Sequence, residues 1–286
     1  MVGFINILKP EGMSSAYAVG AVKKKFNVPC GHMGTLDPMA SGVLPIGIGQ
    51  ASRLFPYMIE KEKEYVAEFT FGVLTDTLDS TGKTEKTTDF IPSKEQILQA
   101  LPLFLGEIDQ IPPMYSAKCI DGKRGYELAR KGVEFELKPK RVEIKRFDLL
   151  EQVEVNKYKF IITCTGGTYI RSLARDLGEK CGSLAIMSGL ERTQSGIFTT
   201  ATGIKLEDFK AKSVEEISKY IIAPDTVVGY GKAVLTKKQA QKILDGVYEN
   251  IGIKDGVYRV YNVDEFWGIG EAKDGILKIK SYVRDL

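Results

Sequence analysis

The segment GHMGTLDPMASGVLPIGIGQASRL, residues 31–54, combines the only histidine of the chain, His32, with a single carboxylate, that of Asp37. Asp37 stands between Leu36 and Pro38. Pro38 fixes its own φ and biases Asp37 toward an extended backbone, which gives the carboxylate a defined direction. Apolar neighbours disfavour the ionised form unless a cation compensates. Because Asp-Pro also starts ordinary turns, the segment predicts either a turn without chemistry or an ionised aspartate that requires a partner.

Arg171 is a candidate for that partner. It lies in GGTYIRSLARDLG, residues 166–178, where Thr168 is the predicted N-cap, so that Arg171 falls in the first helical turn. A cation there opposes the helix dipole by about 0.3–1 kcal/mol. Helix stability therefore does not account for this arginine. Pairing with a buried carboxylate, contact with a phosphate, and an exposed position without a role remain open.

Several common reaction chemistries do not fit these residues. Glycoside hydrolysis needs paired carboxylates, and a Ser-His-Asp relay would have to use His32. Neither G-x-S-x-G nor G-x-x-x-x-G-K-[ST] occurs. The four cysteines form no C-x-x-C pair, which indicates free thiols rather than a zinc site. What remains is nucleophilic or electrostatic work by one ionised aspartate, in a reaction without cofactor or metal.

The charge distribution predicts contact with a polyanion. The net charge is only +3, but residues 118–146 contain ten Lys or Arg and five Asp or Glu, so the remainder of the chain is slightly acidic. A basic stripe of this kind suits nucleic acid, although a solvated helix and edge strand would have the same composition. The N-terminus shows no signal-peptide pattern and no apolar run approaches about 18 residues, which predicts a cytoplasmic protein.

The elements that must position these residues predict an α+β fold. Alternation and β-branched residues indicate strands in EYVAEFTFGVL from Glu64, in VEIKRFDLLE and in YKFIITCTGG. Amphipathic segments indicate three helices: SSAYAVGAVKKKF capped by Ser14 or Ser15, a helix from the Ser93–Gln96 capping box to about Leu105, and TYIRSLARDLGEKCG ending near Gly182. The irregular order of strands and helices favours α+β over a doubly wound sheet.

After about Pro224 the pattern changes to a small β-rich module. The segment TKKQAQKILDG predicts a short helix, and VYRVYNV, FWGIGEA and ILKIKSYV predict strands, with KDG turns at 254–256 and 273–275. We therefore predict two domains, residues 1–224 and 225–286.

Six motifs, together with the segment around Asp37, resemble the TruB family of tRNA pseudouridine synthases. They occur in family order along nearly the whole chain: LKPEGMSS (8–15), KEYVAEFTFG (63–72), TDTLDSTG (75–82), PPMYSAK (112–118), GTYIRSLARDLG (167–178) and LERTQSGIF (190–198). The tail GIGEAKDGILKIK resembles the PUA-like module of bacterial members. The resemblance implies a pseudouridine synthase core, built on a mixed, mainly antiparallel sheet flanked by helices, and a PUA-like RNA-binding module at 225–286.

The resemblance also implies an activity, isomerisation of the T-loop uridine at tRNA position 55, without a cofactor. By the family pattern Asp37 is the nucleophile, Arg171 its ion-pair partner and Tyr65 the residue that stacks on the uracil. Substrate contacts fall on His32, Tyr169 and Leu190 besides Tyr65, and Lys9 with Pro10 supports the floor of the site. The segment KCIDGKRGYELARKG, from Lys118, would form a flap and KPKRVEIKR an edge strand, both facing tRNA phosphates.

The sequence departs from the family pattern at two places. Cys119 and Ile120 replace more polar residues, and Glu191-Arg192 replaces a frequent double arginine. Two alternatives remain beside the enzyme acting alone as a monomer on tRNA: the related catalytic subunit of guide-RNA-dependent complexes, and a non-catalytic RNA-binding protein or tRNA-folding chaperone. The start of the chain close to its KPEG motif favours the enzyme that acts without a guide RNA.

Overall fold

The computed structural model describes residues 1–58, 62–115 and 137–283, together with the backbone of two short strands, β8 (Cys119–Ile120) and β9 (Lys123–Arg124). The chain divides into two compact units. Unit 1 comprises Met1–Pro38, Gly42–Lys61 and Ser195–Leu286, and unit 2 comprises Met39–Ser41 and Glu62–Gln194. The C-terminal strands therefore share a unit with the N-terminal residues, and the predicted boundary at 224/225 stays a prediction.

The N-terminal part of unit 1, together with residues 198–227, forms a sheet accompanied by three α-helices and three 3-10 helices. Strand β1 pairs antiparallel with β3 and parallel with β14, and β2 pairs antiparallel with β3. The elements are β1 (Gly3–Lys9), α1 (Ser15–Phe26), β2 (Cys30–His32), β3 (Ser41–Ile48), a 3-10 helix (Gly49–Tyr57), β13 (Phe198–Thr199), a 3-10 helix (Thr200–Thr202), β14 (Ile204–Lys205), α4 (Leu206–Ala211), α5 (Val214–Ser218) and a 3-10 helix (Pro224–Val227). Phe4, Val43, Leu54 and Phe198 are fully buried in its core.

The rest of unit 1 is a four-stranded sheet with the order β15-β16-β17-β18. Its elements are β15 (Gly231–Leu235), α6 (Lys237–Leu244), β16 (Gly256–Asn262), β17 (Glu265–Lys273) and β18 (Ile276–Tyr282). The turn predicted at 273–275 is confirmed, because Asp274 and Gly275 both have positive φ, as a two-residue hairpin turn requires. The turn predicted at 254–256 is not a hairpin, because it comes before β16. The first hairpin of this sheet instead joins β16 to β17, and Val263 in its turn has a φ of 58°.

Unit 2 contains five neighbouring strands in the order β12-β4-β11-β10-β7. Strand β11 pairs with β4 on one side and with β10 on the other, and β10 pairs in turn with β7; β12 lies next to β4. The elements are β4 (Lys63–Phe71), β5 (Val73–Thr75), β6 (Thr84–Thr87), α2 (Lys94–Ala100), a 3-10 helix (Leu101–Phe104), β7 (Gly106–Gln110), β10 (Lys140–Glu154), β11 (Lys157–Cys164), α3 (Ile170–Lys180) and β12 (Ala185–Ser195). The mixed, mainly antiparallel α+β fold is thus confirmed.

The helix caps follow the sequence with one exception. Ser14 accepts a hydrogen bond from the Tyr17 amide, and Ser93 forms a capping box with Gln96. The Thr168 prediction is wrong: the N-cap of α3 is Tyr169, because the Thr168 hydroxyl donates to the Thr165 carbonyl instead. The edge-strand prediction for KPKRVEIKR is also wrong, because β7 pairs with β10 over residues 140–144. The predicted flap lies outside the described residues, except for the backbone of β8 and β9.

Candidate active site

The loop that carries Asp37 is held on both sides of this residue. The Leu36 amide donates to Ser15 Oγ, and Ser15 Oγ donates to the Leu36 carbonyl, both at 2.9 Å. On the other side the Gly12 amide donates to the Pro38 carbonyl at 2.8 Å. Leu36 and Ser15 are buried, whereas Asp37 is half-buried. The aspartate therefore stands between two anchored residues with part of its side chain accessible.

Lys9 supplies the third anchor of this loop. Its side chain is only 1% exposed, and Nζ donates to the carbonyls of Pro10, Met13 and Pro38 at 2.9, 2.6 and 3.2 Å. Three carbonyl oxygens replace the water that a buried ammonium loses. The segment 9–13 and the residue after Asp37 are thus tied to one cation, which is a physical basis for the supporting role predicted for Lys9 and Pro10.

His32 ends β2 and is half-buried. Its backbone is opposite Ile46 of β3, and the next residue, Met33, donates its amide to the Pro45 carbonyl at 3.0 Å. These pairings fix the path of the chain from His32 toward the Asp37 loop. The predicted substrate contact of His32 stays a prediction.

Arg171 is buried in unit 2 and held by several acceptors. It lies in the first turn of α3, as predicted, and is 6% exposed. Nη1 donates to the Thr77 carbonyl and Nη2 to the Tyr115 carbonyl, each at 3.0 Å, and Nη1 lies 3.5 Å from Asp79 Oδ2. Its burial excludes the alternative that Arg171 is an exposed residue without a role. The ion pair predicted between Arg171 and Asp37, which belong to different units, stays a prediction.

Asp79 is a residue that the sequence analysis missed. It is 4% exposed, and its Oδ1 accepts hydrogen bonds from the Thr77 hydroxyl and from the amide and hydroxyl of Thr81. Leu78 beside it has a φ of 60°, unusual for a branched residue. One carboxylate thus closes the loop TDTLDSTG and faces the Arg171 guanidinium. The available signal was the Thr-x-Asp-x-Thr pattern, which favours such local hydrogen bonds.

Tyr65 forms a hydrogen bond with a second buried arginine, Arg192. Tyr65 lies in β4 and is 6% exposed, and Arg192 in β12 is fully buried. Burial lowers the pKa of the Arg192 guanidinium, and its interaction with the Tyr65 hydroxyl opposes that shift. The predicted stacking residue is therefore oriented by a cation at its hydroxyl end. In the sequence, Arg192 is distinguished only as part of a departure from the family pattern.

Lys63 of β4 and Cys164 of β11, which are paired in the sheet, also have shifted pKa values. Burial lowers the pKa of Lys63, two residues before Tyr65, to about 8, and the positive charge of Arg192 adds to this shift. Burial raises the pKa of the Cys164 thiol to about 11, against a hydrogen bond from Thr168 and the charge of Lys63. A neighbouring anion would favour the protonated form of Lys63 and oppose this shift.

Tyr169 and Leu190 occupy the two elements that carry Arg171 and Arg192. The Tyr169 amide donates to Gln110 Oε1 at 2.8 Å, and Gln110 Nε2 donates to the Tyr169 carbonyl at 3.1 Å. Gln110 is buried, so this pair fixes the start of α3 against β7. Leu190 is partly buried against the hydrophobic core of unit 2. Their predicted substrate contacts stay predictions.

The described residues also define what other chemistries this chain presents. Over residues 1–58, 62–115 and 137–283 no cluster of three or more His, Cys, Asp or Glu is arranged to hold a metal ion. Cys30, Cys164 and Cys181 are free thiols. Among the helices in the same ranges, none has the length and apolar character needed to cross a membrane.

Comparisons with known proteins find two matching family models and curated relatives that match nearly the whole chain. The model of the TruB family pseudouridylate synthase N-terminal domain matches residues 23–170, and that of the tRNA pseudouridylate synthase B C-terminal domain matches 171–228. A curated protein named tRNA pseudouridine synthase B, from Clostridium kluyveri, is 42% identical over 283 residues, which are 96% of this chain and 96% of the relative. Another of that name, from Alkaliphilus oremlandii, is 40% identical over 94% of this chain and 93% of its own.

Solved structures with the same fold include a complex described as Cbf5-Nop10-Gar1. Its matching chain is 28% identical with a TM-score of 0.67, over 98% of this chain and 79% of that chain. A second, an H/ACA RNP bound to a substrate RNA, has a TM-score of 0.69 at 24% identity, over 99% of this chain and 85% of that chain, and shows the fold alone. With the family model covering the segment that contains Asp37 and Tyr65, and with full-length curated relatives, this chain belongs to the TruB family of pseudouridylate synthases.

Proposed function

We propose that this enzyme isomerises the T-loop uridine at tRNA position 55 to pseudouridine, with Asp37 as the nucleophile. The curated relatives that match nearly the full chain are named as enzymes of tRNA. The observation that carries the assignment to Asp37 is the anchoring of its neighbours, since the Leu36 backbone binds Ser15 Oγ and the Pro38 carbonyl binds Lys9 Nζ and the Gly12 amide. A nucleophile needs such a fixed position.

The reaction requires no added group. The N1–C1′ bond of uridine breaks, a C5–C1′ bond forms, the proton on C5 leaves and N1 gains a proton, so atoms and electrons balance within the nucleotide. Asp37 supports it by adding to the base or by attacking C1′. Arg171 is its proposed ion-pair partner, and the bonds to Thr77, Tyr115 and Asp79 limit where that guanidinium points.

The uridine must leave the T-loop stack before it reacts. Flipping costs a few kcal/mol, and stacking on an aromatic side chain returns about 1–3 kcal/mol. Tyr65 is the proposed platform, with its hydroxyl directed by Arg192. His32, Tyr169 and Leu190 are the proposed further contacts to the substrate. Tyr65 is also the proposed acceptor of the C5 proton, and the positive charge of Arg192 would favour the phenolate that results.

The remaining proposals concern partners and location. The enzyme acts on tRNA without a guide RNA, as a monomer, in the cytoplasm, and residues 225–286 form a PUA-like RNA-binding module. Support for RNA contact comes from β10, whose exposed Lys140 and Arg141 belong to the basic segment 118–146. The enzyme would then recognise mainly the shape of the tRNA and its extruded bases, rather than its nucleotide sequence.

Mapping of modified uridines after incubation of unmodified tRNA with the purified protein tests the proposal. Pseudouridine at position 55 with no other protein or RNA present is the expected result. Asp37→Asn is the matched variant, because it keeps the shape of the side chain and removes its charge. It is expected to bind tRNA and form no pseudouridine. Turnover by Asp37→Asn equal to that of the wild type would refute the nucleophile, and tRNA binding without any turnover by the wild type would favour the chaperone alternative.

A further inference from the structure

A basic groove lies in unit 1 beside α1, outside the residues assigned above. It has a volume of about 820 Å³, in the upper part of the range of ligand sites, and is lined by α1 and by the chain from the end of α4 to the start of α5. Four lysines line it, Lys24, Lys25, Lys210 and Lys212. A Cβ on Gly20, which lies on its α1 side, would meet no atom within 4 Å. The groove is therefore open between its cationic walls.

One of these lysines, Lys25, links the two sides of the groove. Lys25 Nζ donates to the carbonyls of Phe209 and Lys210 at 2.7 and 2.9 Å and also to that of Lys212. Phe209 and Lys210 lie in the last turn of α4 and Lys212 is its C-cap, so a cation there binds carbonyls at the helix end and complements the helix dipole. The ammonium thereby joins α1 to α4, and the groove is fixed before any ligand arrives.

The other three lysines leave positive charge available. No carboxylate lies within 4.0 Å of Nζ of Lys24, Lys210 or Lys212 in the described ranges. The nearby Glu216 carboxylate accepts a hydrogen bond from the Ser213 amide at 2.7 Å, and its hydrogen bonds with Ser213 lower its pKa more than the charge of Lys212 does. Since the chain outside residues 118–146 is slightly acidic as a whole, this concentration of lysines is a local exception that favours an anionic ligand.

An exposed aromatic ring completes the groove. Tyr17 is 51% exposed, its hydroxyl accepts a hydrogen bond from Lys210 Nζ at 2.8 Å, and the same Nζ lies 4.4 Å from the ring centroid. Lysines that act as point charges, together with an accessible ring, match phosphate contacts and base or sugar stacking without sequence readout. This combination favours RNA over a purely inorganic anion.

The position of the groove fits the substrate of the proposed site. Ser15 at the start of α1 holds Leu36 next to Asp37, and Lys24 lies nine residues further along the same helix. At 1.5 Å per residue this is about 14 Å, or about four base-pair steps of a duplex at roughly 3.4 Å each. We propose that the groove binds backbone phosphates of the tRNA several nucleotides from the reacting uridine. This inference rests on the proposed function.

Affinity measurements with matched variants test the groove. Lys24→Gln/Lys210→Gln removes two exposed charges, and Lys86→Gln/Lys94→Gln removes two exposed charges in unit 2. Each lost phosphate contact lowers the salt slope of log K by about 0.9. The groove variant is expected to raise the Kd for tRNA about tenfold near 0.1 M salt and to reduce the salt slope by about two. The control variant is expected to change neither.

The outcomes separate this inference from the activity itself. If the wild type forms pseudouridine and the groove variant binds tRNA like the control, with both variants folded by circular dichroism, the groove proposal is wrong and the activity stands. If inorganic phosphate protects Lys24 from amine-reactive labelling but tRNA does not, the groove binds small anions and the RNA proposal is again overturned. If the wild type forms no pseudouridine but the groove variant still loses tRNA affinity, the proposed function fails while the groove remains an RNA site.

Discussion

Replacement of Asp79 by asparagine is expected to destabilise unit 2, because it leaves the Arg171 guanidinium buried beside an amide. The two side chains are 6% and 7% exposed and 3.5 Å apart. At an effective dielectric of about 20, unit charges at that distance attract by about 5 kcal/mol, and removal of one partner of a buried pair costs roughly 3–5 kcal/mol. Arg171 keeps its bonds to the carbonyls of Thr77 and Tyr115, so we expect about 3 kcal/mol.

A matched exposed pair provides the control. Arg141 and Glu107 in neighbouring strands have side chains 69% and 64% exposed, with Nε and Oε2 3.8 Å apart. Glu107→Gln is therefore expected to cost less than about 1 kcal/mol. The free energy of unfolding, measured by urea denaturation at low salt, compares the two variants directly. If the loss of unfolding free energy in Asp79→Asn is within 1 kcal/mol of the loss in Glu107→Gln, the reasoning is refuted.

A double-mutant cycle separates the ion pair from the loop that Asp79 closes. Asp79→Asn retains an oxygen for the hydrogen bonds from Thr77 and Thr81, so most of its cost should arise from Arg171. In the background of Arg171→Met the same change is expected to cost at least 1–2 kcal/mol less. Equal costs in both backgrounds would assign the effect of Asp79 to the loop alone.

Three further changes test other parts of the structure. Burial lowers the pKa of Lys63 to about 8 from 10.5, so between these pH values unfolding takes up a proton. The free energy of unfolding of the wild type, compared with that of Lys63→Met, should therefore rise by on the order of 3 kcal/mol from pH 8 to 10.5. Parallel pH profiles of the two proteins would contradict this. Tyr65→Phe removes the hydroxyl bound to Arg192 and should lower the free energy of unfolding by about 1–3 kcal/mol. It should also slow turnover at saturating tRNA, and full turnover would exclude Tyr65 as the acceptor of the C5 proton. Gly47→Ala should lower the free energy of unfolding by about 1–3 kcal/mol, because its Cβ would lie 2.7 Å from the Ser52 amide nitrogen. A melting temperature equal to that of the wild type would show that the 3-10 helix Gly49–Tyr57, which contains Ser52, shifts freely.

Local features were predicted well because their causes lie within a few residues. The Ser14 cap, the Ser93–Gln96 capping box and the Asp274–Gly275 turn each depend on backbone groups near in sequence. Strand β15 was missed because its parallel partner β16 is separated from it by α6, and such pairing leaves no signature in a short segment. The edge position of KPKRVEIKR was wrong for a similar reason, since β7 comes from a segment far earlier in the chain.

Within the site, the positions of Asp37 and Arg171 in their elements followed from the sequence, but the partners of the buried charges did not. Asp79 reads as an ordinary loop aspartate, because its partner Arg171 is remote in sequence. Burial of a polar residue depends on which elements cover it, and this is a tertiary property. Lys9 shows the same limit: its three carbonyl acceptors include one from the Asp37 loop.

Arg192 shows where the alternation of a strand carries functional information. Successive residues of β12 point to opposite faces, so Arg192 shares a face with Leu190, and Glu191 lies on the other. The structure agrees: Glu191 is exposed, whereas Arg192 is fully buried and bound to Tyr65. The departure from a double arginine therefore changes the charge of the exposed face, at Glu191, and retains the arginine that orients the proposed stacking residue. Glu191→Arg should accordingly alter tRNA affinity through charge, while Arg192→Met should act on turnover through Tyr65.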